Sequence, residues 1–151
     1  MNRNPDVTIQ VVTYGEAKTE IQAIRCQVFQ QEQGVSAELE FDGLDDDAVH
    51  LLAYDKTYAV GTARMRNLGD RKAKVERVAV LAPYRGQGIG RRLMMAAIEH
   101  LRSQGVTAIK VNAQLQVKVF YERLGFEAEG GGFEEAGIPH VAMWLKSASG
   151  A

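Results

Sequence analysis

The chain has 151 residues, 18 Lys plus Arg against 19 Asp plus Glu, a formal net charge of -1 and one cysteine. Its length fits a single domain over residues 1–151 with a core over residues 7–146, its 46% hydrophobic content supports a sizeable core, and its near-neutral charge excludes bulk electrostatic binding of nucleic acid. Cys26 alone can form neither an internal disulfide nor a cysteine-based zinc site, and no stretch has the apolar length of a signal peptide or a membrane span, so a cytoplasmic protein without a membrane partner is expected.

Neutrality here is a cancellation. Cys26 to Asp55 carries eight acidic residues and no Lys or Arg, whereas Arg64 to Arg92 carries nine basic residues opposed only by Asp70 and Glu76. Two such blocks present two fields to two ligands, or are two solvated loops.

In chain order, Val7 to Tyr14 is β-branched and alternating, which predicts a strand ending at Gly15. Ile21, Ile24 and Val28 predict an amphipathic helix ending before Gly34, with Cys26 beside its apolar stripe. Ser36 to Asp47 is acidic and loop-like, and the position of Gly43 rules out a calcium loop of EF-hand type. Ala48 to Tyr54 and Tyr58 to Arg66 predict a hairpin. Lys74 to Leu81 predicts the next strand, with Glu76, Val78 and Val80 on one face and Val75, Arg77 and Ala79 on the other. A helix follows to about Gln104, then a strand over Thr107 to Asn112, a strand-helix-strand unit that requires a parallel pair in a mixed sheet. Val117, Phe120, Tyr121 and Leu124 give a last helix, and two closing strands are expected to be joined by Gly130-Gly131-Gly132. The tail Ser147 to Ala151 is expected to fray.

Arg85-Gly86-Gln87-Gly88-Ile89-Gly90 lies between a strand and a helix. Glycines there let backbone N–H groups turn outward, and the helix N-terminus adds partial positive charge, so a pyrophosphate can be held by main-chain donors with Arg85, Arg91 and Arg92 at the mouth. Glycines needed only for close packing are the other reading. A P-loop would require Gly-Lys-Ser/Thr where Gly90-Arg91-Arg92 stands, and a dinucleotide fingerprint would require G-x-G-x-x-G followed by an acid.

Glu76-Arg77-Val78-Ala79-Val80, Pro83-Tyr84-Arg85-Gly86-Gln87-Gly88-Ile89-Gly90 and Phe120-Tyr121-Glu122-Arg123-Leu124-Gly125-Phe126, in that order, resemble the GNAT superfamily of acetyl-CoA dependent N-acyltransferases. Arg25-x-x-Val28-Phe29-x-x-Glu32-Gln33-Gly34-Val35, Asp46-x-Ala48-x-His50-Leu51-Leu52 and Gly137-Ile138-Pro139-His140 resemble its ElaA-like branch. The resemblance implies an α/β (α+β) GNAT fold: a mixed, mostly antiparallel sheet of about six or seven strands, about four helices, and a splayed parallel pair holding CoA.

It further implies that Val78, Ala79 and Val80 offer backbone groups to the cofactor arm, that Arg85, Gly86, Gln87, Gly88, Ile89, Gly90 and Arg91 hold the pyrophosphate, and that Tyr121 is the general acid. Tyr121 also falls on an apolar helix face. Where the family commonly has an asparagine that hydrogen-bonds the cofactor this chain has Gln114, which keeps the carboxamide on a longer stem, and Asn112 is the substitute cofactor-binding residue. Glu76 is the expected base, its side chain on the side of Val78 and Val80; the alternative pairs it with nearby arginines. His50 and His140 are other candidates on the substrate side, each also readable as structural. No metal is expected. The implied reaction is transfer of acetyl from acetyl-CoA to a primary amine of a small molecule or peptide; a CoA-holding module without turnover is the alternative. The acidic segment Glu32 to Asp47 suggests a cationic acceptor, and an exposed C-terminal strand edge suggests a homodimer.

Overall fold

The computed structural model describes residues 6–147. Strand β1 (Val7–Thr13) ends where Thr13 becomes a helix cap: its hydroxyl accepts the Glu16 N–H at 3.2 Å while Glu16 Oε1 accepts the Thr13 N–H at 2.8 Å. This reciprocal box starts α1 (Tyr14–Arg25) before Gly15, which lies inside the helix and does not end the strand. Tyr14, Ala17, Ile21, Ile24 and Val28 bury against Leu52 and Ala79 on one face of the sheet. The expected single helix continues as π-helical turns over Cys26–Glu32, and a short α2 (Ala37–Glu40) follows, capped by Ser36 Oγ.

β2 (Val49–Asp55), β3 (Tyr58–Gly69) and β4 (Lys72–Val80) extend β1 as an antiparallel meander. α3 (Ile89–Ser103) crosses back to β5 (Ala108–Gln114), which runs parallel to β4; α4 (Lys118–Arg123), β6 (Glu127–Glu135) and β7 (Ile138–Lys146) complete the chain. The strand order is β1-β2-β3-β4-β5-β7-β6. α3 covers the face opposite α1, inserting Ile89, Leu93, Met94, Ala97 and Leu101 among Leu51, Val60, Met65, Val75 and Val111. Full burial of Leu93 or Met94 contributes roughly 2 kcal/mol each.

β4 and β5 pair only at Lys72↔Ala108, Ala73↔Ile109 and Lys74↔Lys110, although β4 runs on to Val80 and β5 to Gln114. The sheet therefore opens into a V between its two central strands, the splay expected for this fold.

Three expectations are corrected. In β4, Arg64 pairs with Glu76 and Thr62 with Ala79, so Arg77 and Val78 together oppose Ala63 in a bulge, with Arg77 at φ 56°. The extra residue flips the alternation: Glu76 shares a face with Ala79, while Val78 and Val80 pack toward the α3 cluster on the other face. The triple glycine is not the final connection. It lies within β6, where the register shifts between Glu129 and Phe133, and the turn is at Ala136-Gly137. Ser147 is not loose, since its N–H donates to the Thr107 carbonyl at 2.9 Å; the rest of the expected frayed tail lies outside the described residues.

Candidate active site

The V opens onto a cavity of about 440 Å³. One wall is β3 and β4 with Arg66, Lys74, Glu76, Arg77 and Val78; the other is β5, β6 and β7 with Asn112, Gln114, Glu135 and His140; Phe29, Gln33 and α2 close the top.

Glu76 is held by three cations. It accepts from Arg64 Nε at 2.9 Å, from Arg66 Nε, and faces Lys74 Nζ at 3.1 Å. Burial alone would raise its carboxyl, but Arg66, Arg64 and Lys74 outweigh that and hold it at about 2. Behind it, fully buried Arg64 also binds Asp42 and Asp45, and fully buried Arg25 binds Glu40 and Asp45, both at 2.5 Å. Arg77 donates to the Leu39 and Glu40 carbonyls at 3.2 and 3.1 Å, which holds the bulge under α2. Its left-handed backbone is a strain maintained by these contacts.

On the opposite wall Asn112 Nδ2 donates to Glu135 Oε1 at 3.1 Å, and Asn112 Oδ1 is buried without a partner. Gln114 Nε2 donates to Gln33 Oε1 at 3.2 Å and so links β5 to the exit of the π-helical turns. His140 Nδ1 lies 2.6 Å from the Ile138 carbonyl. A carbonyl only accepts, so Nδ1 carries a proton, and in the neutral imidazole the lone pair is on Nε2.

At the open end of β4, the 3-10 turn Ala82–Tyr84 leads into Arg85-Gly86-Gln87-Gly88. Gly86 and Gly88 have φ 78° and 82°, and Gly88 caps α3 in the left-handed region with no side chain occupying the first-turn N–H groups. A Cβ on Gly90 would lie 4.0 Å from both Val80 and Phe120, so strand, loop and α4 meet there.

Residues 12–147 match the profile of a family described as acetyltransferase (GNAT) domain. The chain belongs to the GNAT acetyltransferase family. YjcF, an uncharacterized N-acetyltransferase of Bacillus subtilis, is 37% identical over 80% of this chain and 86% of its own length. Escherichia coli ElaA superposes with a TM-score of 0.82 at 26% identity, over 93% of this chain and 99% of its own. An acyl-CoA N-acyltransferase from Pseudomonas aeruginosa does so with a TM-score of 0.82 at 25% identity, over 92% and 99%.

This GNAT domain brings Glu76, Val78, Asn112, Gln114 and His140 to one cavity. It does not bring His50 there. That imidazole is fully buried on β2, its Nε2 donating to the Asp45 carbonyl at 3.1 Å, its ring 5.3 Å from Tyr14 and its pKa lowered chiefly by burial. Tyr121 packs edge-on against Phe120 and Phe126, and burial pushes its phenol up to about 12.

Two arginines at the loop are partly committed elsewhere. Arg85 donates to the Val80 carbonyl at 2.8 Å and pairs with Glu32 at 2.5 Å, so that carbonyl is not free. Arg92 donates to the Val7 carbonyl at 2.8 Å, which turns it toward β1, while Arg91 is exposed. Sequence reasoning missed Arg66, Lys74 and Glu135 as cavity residues. Only the pairing of distant strands puts them there.

Proposed function

We propose that this chain is an acetyl-CoA dependent N-acetyltransferase acting in the cytoplasm, which transfers acetyl to a primary amine of a small molecule or peptide by direct attack in a ternary complex. The observation that carries the reading is the V between β4 and β5, with a glycine loop and helix N-terminus at its open end and a cavity along it. The fit to the cofactor rests on two features. These are the uncapped first turn of α3 for pyrophosphate oxygens and the stretch of β4 from Val78 onward, which is not paired with β5, for the pantetheine arm. When bound, acetyl-CoA supplies the thioester carbonyl that the amine attacks and the thiolate that leaves.

Glu76, held at about 2 and shared by three cations, is a poor proton acceptor and serves instead to fix the cavity wall. His140 Nε2 is the assigned base. Its tautomer is set by Ile138, and it is stacked on Phe133 with ring centroids 5.9 Å apart. Tyr121, kept protonated by burial, is the assigned acid for the thiolate, one residue from Phe120 where the loop, β4 and α4 meet. The seclusion of Tyr121 is the observation on the side of a module that holds CoA without turnover.

Thiol release from acetyl-CoA over a panel of amines separates the two. Turnover is expected, falling about 10²-fold or more in Tyr121→Phe and in His140→Ala. CoA binding without thiol release from any amine would establish the holding module, and full activity in Tyr121→Phe would remove the assigned acid.

A further inference from the structure

The two walls of the cavity differ in chemistry. Arg66 pairs across the sheet with Lys74, and Lys74 with Lys110, so three cations stand side by side on one face. Like charges directly opposite each other destabilise a sheet. The carboxylate that offsets them is Glu76, and Glu76 also serves Arg64. Through the connected network, Arg25, Arg64, Arg66, Lys74 and Arg77 face Glu40, Asp42, Asp45 and Glu76, which leaves the cations one in excess before Lys110 is considered. Arg66 and Lys74 line the cavity with side chains only 24% and 15% exposed, so water screens them weakly.

The other wall is built of hydrogen-bond acceptors. The Glu135 carboxylate can only accept, so it holds Asn112 Nδ2 and turns Oδ1 away, buried and unpartnered. Glu135 adds negative charge beside it, and His140 adds an imidazole acceptor. Glu40 and Asp42 also reach the cavity, but Arg25, Arg64 and Arg77 already hold them.

We propose that the acceptor is an amine that also bears a carboxylate: the carboxylate docks on Arg66 and Lys74, and the amine lies at Asn112 Oδ1 and His140 Nε2. Glu135 is a positioning residue, acting through Asn112. The proposal rests on the N-acetyltransferase reading and sharpens it to amino-acid-like acceptors, including acidic peptides with a free amine. It replaces the cationic acceptor suggested by the acidic segment: Glu32, Glu40, Asp42 and Asp45 are in ion pairs, and Glu38, Asp46 and Asp47 do not line the cavity.

The test uses matched acceptors: leucine, leucinamide and isoamylamine, with putrescine as the dication and glutamate as a second acid. Binding to the CoA-saturated protein is followed by the fluorescence of Trp144, the single tryptophan, whose ring lies 5.9 Å from both Lys72 Nζ and Lys110 Nζ. Turnover is followed by thiol release. Leucine or glutamate is expected to bind about ten-fold or more tighter than leucinamide at low salt, and the ratio is expected to collapse toward one in Lys74→Gln and in Arg66→Gln. Glu135→Ala should raise KM for every amine, and Glu135→Gln, which keeps an acceptor for Asn112, should recover part of that loss.

Equal binding of leucine and leucinamide, or preference for putrescine, overturns the inference and leaves acetyl transfer standing. Unchanged carboxylate preference in both cation variants also overturns it. A fall in CoA affinity in Lys74→Gln, measured by calorimetry, would assign these cations to cofactor phosphates and overturn it too. Failure of the unaltered protein to bind CoA defeats the underlying reading itself.

Discussion

At the scale of single residues, Glu76 and Arg25 show what a side chain's identity leaves undecided. Glu76 has a carboxylate, and its spacing from Val78 suggested the face on which a base is useful. The bulge moved it to the face of Arg64, where three cations converge. Its carboxyl is held at about 2 against an ordinary 4.5, so the stability this gives is complete above pH 4.5 and is lost as pH falls through 2. The shift corresponds to about 3 kcal/mol. Urea unfolding should therefore give a stability that drops steeply between pH 5 and about 2, and Glu76→Gln should lower the plateau at pH 7 and flatten that drop. An unchanged acid profile in the variant would contradict the ion-pair account. Arg25 offers a sharper case: Arg25→Met removes one of two cationic partners from each of the buried Glu40 and Asp45, leaving Arg77 and Arg64, at a cost of up to about 3–5 kcal/mol, read as a lower urea midpoint.

At the scale of elements, most of the fold was legible because period and punctuation carry it. The meander, the crossover helix and the parallel pair follow from alternating runs, turn residues and the Gly88 entry to α3. What failed was local register. No glycine marks the β4 bulge, since Arg77 holds the left-handed backbone itself by tying its guanidinium to α2, a contact made across more than thirty residues of chain. The triple glycine carried the reverse error, a turn signal spent on a bulge inside β6. Gly61 shows a constraint that composition cannot reveal: a Cβ there would stand 3.1 Å from Leu93 Cδ1 and 3.3 Å from the Ala79 carbonyl. Gly61→Ala should cost about 1–3 kcal/mol by pushing β3 from α3, measurable as a lower thermal midpoint. The candidate site was legible in the same uneven way. The loop Arg85 to Gly90 and the residues Asn112, Gln114 and His140 could be named from sequence, whereas Arg66, Lys74 and Glu135 enter only once β3, β4, β5 and β6 are arranged in order.

Across the whole molecule, part of the charge cancellation proves to be internal. Arg64, Arg77 and Arg85 from the basic block meet Asp42, Asp45, Glu40 and Glu32 from the acidic block, so the two blocks fold onto one another. The pairs built on Arg25 and Arg64 are buried and should resist screening, so added salt should leave global stability nearly unchanged while it weakens binding of anionic ligands. The V at the middle of the sheet lies beside the β4 bulge and ends at the glycine loop. Its occupancy is measured most directly by calorimetric titration of acetyl-CoA into the protein and into Gly88→Ala, whose left-handed cap at φ 82° strains any side chain. Saturable one-to-one binding, weakened about ten-fold or more in the variant, is the predicted result. Absence of binding to the unaltered protein, or equal binding by both, would contradict the account.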